Sequence, residues 1–379
     1  MMRDSADPDS VPRALVVACA AVFAALVLTS GATQLERFQI MNTAKAAGAA
    51  AGAVRGSLGD EGAMPELDGA TGWLNSMPLN RKSLQGKVVL VNFWTFTCIN
   101  SIRPLPYLRS WIEKYKDSGF VLIGAHTPEF SLEHEPKNVE TAARNLNVAF
   151  PVAVDSKYGI WNAFNNQAWP AQYLIDAKGR IRYHHFGEGD YEEIENAIRE
   201  LLKENGATNF ATGASPVSGV GIEAAPDWPN ERSPETYIGY RQAQNFASPE
   251  KVRRDAVQLY SAPARPSLNQ WGLSGSWNVN AEAALLQSAP GKIVFRFHSR
   301  DLNFVLAPAK DGKPVRFKVT VDGTVPGENH GVDIEPDGSG QIREPRLYQL
   351  IRQKGPIMDR TFEIEFLDSG VQALDFTFG

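Results

Sequence analysis

Apolar and polar positions change their rhythm twice along this chain. Near the start, Ala14–Ala32 carries no charge at all, a length close to the ~20 residues that cross a bilayer as a helix. Between residues 71 and 206 the pattern alternates between short apolar runs and amphipathic stretches. Val88-Val89-Leu90-Val91-Asn92-Phe93 is unbroken, as in a strand buried on both faces of a sheet. Ile99 to about Lys116 places Leu105, Leu108, Trp111, Ile112 and Tyr115 on one helical face. Pro104 suits a first turn, and Pro106 is expected to kink or delay that helix. Phe120–Gly124 and Phe150–Val154 read as strands, 137–147 and Tyr191–Glu204 as helices. Gln172–Asp176 and Arg180–Phe186 flank Ala177-Lys178-Gly179 as a hairpin. Beyond residue 230 the period becomes two, in Ile293-Phe295-Phe297, Val315-Phe317-Val319-Val321, Phe362-Ile364-Phe366 and Leu374-Phe376-Phe378. Asp-Gly turn signals separate these runs, which is the pattern of an all-β sandwich or jelly roll.

The divisions follow. Residues 1–13 are a polar tail and 14–32 a membrane anchor or signal segment; 33–70 are an Ala/Gly-rich linker. Residues 71–206 are an α/β domain, 207–230 a Gly/Ser/Pro-rich linker and 231–379 the β domain. An anchor with the bulk outside the cytoplasm is the favoured reading. Secretion after cleavage near Ser30-Gly31-Ala32 is the alternative.

The totals narrow the chemistry. At 379 residues, 21% charged and net charge −5, nothing favours nucleic acid as a partner. The histidines are scattered, and His184-His185 would face opposite ways on one strand, so neither a metal nor another cofactor is expected. Only two cysteines occur, Cys19 inside the N-terminal apolar segment and Cys98 after the apolar strand. Cys98 is therefore expected as a free thiol where strand gives way to helix. The unpaired N–H groups of a helix N-terminus would stabilise a thiolate there, lower its pKa and make it a nucleophile. Three residues on stands Ser101, which can donate a hydrogen bond to that thiolate but cannot form a disulfide. His126 and Glu129, beyond the next strand and at the same expected sheet edge, are candidate proton carriers.

Several stretches carry a resemblance: Gly86–Trp94 leading into Thr95-Phe96-Thr97-Cys98-Ile99-Asn100, then His126–Phe130, Trp169–Asp176 and Gly187-Glu188-Gly189. They resemble the membrane-tethered, extracytoplasmic thiol–disulfide oxidoreductases of the thioredoxin-like TlpA and DipZ type. Ser233–Tyr240, Arg346–Leu350 and Phe376–Gly379 resemble the carbohydrate-binding-module-like β domain of DipZ-type proteins. In full DipZ-type proteins a multi-span electron-carrying membrane domain precedes these two; one apolar segment stands in its place here.

The resemblance implies an α/β thioredoxin-like domain followed by an all-β sandwich. It implies a cis peptide before Pro170, set against the active cysteine, and a substrate groove at Trp94, Thr97 and Trp169. The substrates would be protein disulfides or mixed disulfides attacked by Cys98. Where the family has a second cysteine this chain has Ser101. Three explanations stay open: a monothiol protein resolved by an external thiol or reductant, a chain that kept binding and lost catalysis, or an engineered trap. A peroxidase is a weaker reading, since Thr95 has the right spacing but Val91 stands where a proline is expected. The competing class is a redox-inactive binding or scaffold protein whose β domain engages envelope glycan or a protein. Candidate contacts there are Trp271, Trp277 and Tyr348, with Asp333, Glu335 or Asn329 as polar partners.

Overall fold

The computed structural model describes residues 58–211, 213 and 216–379. The 14–32 segment and most of the 33–70 linker lie outside them. Among the described residues no helix is long and apolar enough to cross a membrane.

The α/β domain is built on a seven-stranded mixed sheet. Its strands are β1 (Gly62–Ala63), β2 (Gly72–Leu74), β3 (Val88–Trp94), β4 (Phe120–His126), β5 (Val152–Val154), β6 (Ala171–Ile175) and β7 (Arg180–Phe186), in the order β1-β7-β6-β3-β4-β5-β2. β3, β4 and β5 run parallel, and β6 and β7 return antiparallel as the sequence hairpin. Every residue of β3 is buried, because side chains of both parities meet an apolar layer. Val88, Leu90 and Trp94 face one layer, Val89, Val91 and Phe93 the other.

The helices are α1 (Arg81–Leu84), α2 (Ile99–Ile102), α3 (Leu105–Tyr115), α4 (Pro136–Asn145), α5 (Gly159–Ala163) and α6 (Tyr191–Glu204). The expected helix from Ile99 is thus two pieces, broken at Arg103-Pro104. Pro104 caps α3 and Pro106 sits in its first turn, where a missing N–H costs nothing. The sheet also takes residues the sequence reading gave to the linker. Ala63 pairs with Arg180, and Met64 and Leu67 are buried against α1 and α5. Two isolated apolar residues among Gly, Pro and Asp give no periodicity to read.

The β domain is one antiparallel ten-stranded sheet folded over its own core. Its strands are β8 (Thr236–Tyr237), β9 (Val257–Tyr260), β10 (Trp271–Val279), β11 (Ala284–Phe297), β12 (Asp301–Ala307), β13 (Val315–Val321), β14 (Ser339–Ile342), β15 (Arg346–Arg352), β16 (Arg360–Phe366) and β17 (Gln372–Phe378). The long β11 pairs with β16 through Gly291–Phe297 and with β17 through Ala284–Leu285, which links the two halves of the sheet.

The two domains share an apolar cluster. Ala283, Val305, Leu347 and Leu374 of the β domain join Trp94, Phe96, Ile99, Ile102 and Leu105 of the α/β domain. The intervening segment is also packed. Ile222 lies on that cluster, Glu223 pairs with Arg109 at 2.6 Å, and Arg352 donates to the Gly221 carbonyl at 3.1 Å.

Candidate functional site

Strand register brings the site together. Trp94 pairs with His126 across β3 and β4, and Phe93 with Ala171 across β3 and β6. The loops carrying Cys98, Glu129 and Pro170 therefore leave the sheet at one edge, as parallel-strand carboxyl ends in open α/β sheets do. Cys98 is the extended N-cap of α2, its carbonyl accepting from the Ser101 and Ile102 N–H groups at 3.0 and 3.2 Å. The Trp169–Pro170 peptide is cis, and the Pro170 carbonyl accepts from Gly187 N–H at 2.8 Å.

The loop before Cys98 is pinned by a residue that sequence reasoning missed. The buried Glu133 carboxylate accepts from the Thr95 hydroxyl, from the Thr97 hydroxyl at 2.6 Å and N–H at 3.2 Å, and from the Glu129 and Phe130 N–H groups at 2.6 and 3.0 Å. Burial pushes its pKa up while these hydrogen bonds pull it down. The only sequence signal was its place after the second central strand, on the same edge as Cys98.

Cys98 is a free thiol, 7% exposed. Burial pushes its pKa well up, the charges of Glu129 and Glu235 add to that, and hydrogen bonds from Ser101 pull the other way. This reverses the expected lowering. The four-residue α2 offers a short dipole, and loss of water outweighs it. Ser101 is fully buried beside the thiol, and its oxygen also accepts weakly from Thr95 N–H at 3.4 Å.

The two candidate proton carriers differ: the charge of Glu129 bears on the thiol, whereas His126 is enclosed by aromatic rings. Glu129 accepts a 2.5 Å hydrogen bond from the Tyr237 hydroxyl of β8. Burial, then Glu235 and Glu133, raise its pKa well above the carboxylate range. His126 is fully buried, stacked on Phe96 at 5.5 Å and edge-on to Trp94 at 5.2 Å, and neither ring nitrogen has a hydrogen-bond partner. Burial pushes its pKa down to about 3, so it stays neutral and has no route for a proton.

The expected groove residues separate likewise. Trp94 is core: it is fully buried over Gly124, where an added Cβ would lie 2.9 Å from the indole Nε1. Thr97 is buried and committed to Glu133. Trp169 is half-buried at the edge, with Nε1 donating to the Thr127 carbonyl at 3.0 Å and its ring 4.3 Å from that of Trp161. In the β domain, Trp271, Trp277 and Tyr348 are core residues rather than ligand contacts, each 1% exposed or less. Their polar atoms serve the local backbone at Gln244, Ser274 and Glu344. Asp333 is tied to Arg346 and to Gln349 N–H, and Asn329 to Lys354 N–H. Among the described residues no cluster of His, Cys, Asp or Glu could hold a metal ion.

The β domain closes over this edge. Tyr237 reaches Glu129, Arg103 donates to the Phe378 carbonyl at 3.0 Å while pairing with Glu188 at 2.8 Å, and Glu282 accepts from Ser131 N–H at 3.1 Å. Residues 64–184 match the model of the AhpC/TSA family, and residues 233–379 match the family described as the thioredoxin-like C-terminal domain. The chain joins a thioredoxin-like domain to a thioredoxin-like C-terminal domain.

Relatives with this thioredoxin-like domain include Protein DipZ of Mycobacterium bovis. It is 36% identical over 268 residues, taking in 68% of this chain and 38% of DipZ. The chain thus spans well under half the length of that relative. The thiol-disulfide oxidoreductase YkuV of Bacillus subtilis is 27% identical over 141 residues, 37% of this chain and 95% of YkuV. Among solved structures, a thioredoxin-like protein in its oxidized form is 28% identical, covering 38% of this chain and 96% of its own, with a TM-score of 0.35.

Proposed function

We propose that this chain is a monothiol thiol–disulfide oxidoreductase in which Cys98 attacks the disulfides of proteins. The observation that carries the reading is Cys98 at the β3–α2 junction, on the edge shared by cis-Pro170 and Glu129. The relationship to YkuV and DipZ supports it. In the first step Cys98 Sγ bonds to one sulfur of the substrate disulfide. The S–S bond breaks, and the second sulfur leaves with the electron pair and takes up a proton. Glu129, protonated in the closed arrangement, supplies that proton and receives the one Cys98 loses. Ser101 cannot attack the resulting mixed disulfide. An external thiol does so, releasing Cys98 as thiol and keeping the oxidised sulfur in the new disulfide. In the peroxidase alternative Thr95 would serve the cysteine, but its hydroxyl is engaged by Glu133.

The apolar 14–32 segment supports tethering to a membrane, and the resemblance to extracytoplasmic TlpA and DipZ-type proteins supports placing both domains outside the cytoplasm. The burial of Cys98 favours one second reading, a non-covalent polypeptide binder. One experiment separates the two. In Ser101→Cys the new thiol lies beside Cys98, and the oxidoreductase reading expects insulin-type disulfide reduction to appear. Mass spectrometry of the native chain should also find thiol adducts on Cys98. An inactive Ser101→Cys together with an unadducted Cys98 would leave the binder.

A further inference from the structure

The face of the C-terminal domain that meets the thioredoxin-like domain carries a row of polar side chains. β15, β12 and β17 are adjacent strands, and Gln349, Asn303 and Thr377 stand side by side across them in register. Their sequence neighbours Tyr348, Phe304 and Phe376 point into the C-terminal core. Alternation therefore puts the three polar residues on the opposite face, with Val305 and Leu347 of the shared interdomain cluster. Exposures are 1% for Gln349, 0% for Asn303 and 3% for Thr377. Neither Oδ1 nor Nδ2 of Asn303 has a hydrogen-bond partner in the structure, and neither Gln349 Oε1 nor Thr377 Oγ1 has one. One pleat repeat along the same face, roughly 7 Å away, Asp375 sits in register with Tyr237, whose hydroxyl reaches Glu129, the carboxyl group whose charge bears on Cys98.

A permanently sealed interface would gain from apolar groups in this row, because a buried amide without a partner forfeits its hydration. Donors and acceptors of both kinds, with no net charge, are what a polypeptide main chain pairs with; an anion would call for arginine or lysine instead. We propose that Gln349, Asn303 and Thr377 form the second wall of a substrate cleft and hydrogen-bond the main chain of the polypeptide whose sulfur Cys98 attacks, once the two domains part. The inference rests on the oxidoreductase reading for its chemistry and on the strand register for its place.

The test uses the full chain and the near-isosteric triple variant Asn303→Leu, Gln349→Met, Thr377→Val. Exchange of unpaired buried polar groups for apolar ones of similar shape should leave folding neutral or improved. The first probe is a short unstructured peptide whose single cysteine is disulfide-linked to a chromogenic aromatic thiol. Cys98 Sγ bonds to the peptide sulfur and the aromatic thiolate leaves with the electron pair. The second probe is the symmetrical disulfide of the same aromatic thiol. The ratio of the two rates should fall about tenfold in the triple variant. The same peptide, alkylated and fluorescently labelled, should bind the Cys98→Ser chain about tenfold more weakly by anisotropy when the triple substitution is added. Equal slowing towards both disulfides, or unchanged peptide binding, would overturn the proposal. So would a fall in thermal midpoint, which would mark the row as the seat of internal water. If the unsubstituted chain reacts with neither disulfide while peptide binding still responds to the row, the oxidoreductase reading fails and the docking surface stands.

Discussion

Protons at two side chains govern what Cys98 can do. Glu129 keeps its proton in the folded chain at pH values where an unfolded glutamate has lost it. Above about pH 4.3 the folded state therefore binds more protons than the unfolded one, and stability falls as pH rises. Glu129→Gln imitates the protonated form and can still accept from Tyr237. Its thermal midpoint should exceed that of the parent at pH 7, and the gap should close below about pH 4. At alkaline pH, where Glu129 does ionise, its charge raises the Cys98 pKa further, and the same substitution removes it. Alkylation of the parent by iodoacetamide should be slow at neutral pH and still climbing at alkaline pH without a plateau. In Glu129→Gln and in Glu235→Gln the rate profile should move to lower pH. At this scale the sequence located the thiol correctly, because an apolar run ending at a cysteine before a helical pattern has one simple reading. It misled on the pKa. The opposing terms are burial under a second domain and the carboxylates of Glu129 and Glu235, which local spacing does not contain.

Among elements, the central strand and the closing helix were the most legible. β3 is uninterruptedly apolar, and α6 runs over Tyr191–Glu204 as its amphipathic spacing indicates. The edge elements were hidden. β1, β2 and β8 are two or three residues long, held by main-chain pairing that leaves no side-chain rhythm. One such contact explains why glycine opens α5. An added Cβ on Gly159 would lie 2.8 Å from Gly69 Cα, backbone against backbone, so no rotamer change relieves it. Gly159→Ala should lower stability by about 1–3 kcal/mol, read as a reduced urea midpoint with an unchanged slope.

Residues 58–379 belong to one compact unit. No pattern along the chain signals that, since apolar interface positions such as Val305 and Leu347 look like any other strand residues. Arg103 and Glu188 form a buried ion pair, with side chains 2% and 3% exposed, and Arg103 also holds the Phe378 carbonyl of the second domain. Arg103→Met should cost about 3–5 kcal/mol, because it strips a buried carboxylate of this partner. It should also speed alkylation of Cys98 at a fixed pH by loosening the cover, a result that chemical denaturation and thiol labelling together would establish. That cover has a consequence for the working life of the protein. Among the described residues Cys98 has no neighbouring thiol with which to form a protective disulfide, so its sulfenic acid must wait for an external thiol, and a further encounter with peroxide before that leads towards sulfinic and sulfonic acids and permanent loss. Kept protonated behind a second domain, Cys98 is shielded from that attrition during the time it spends idle.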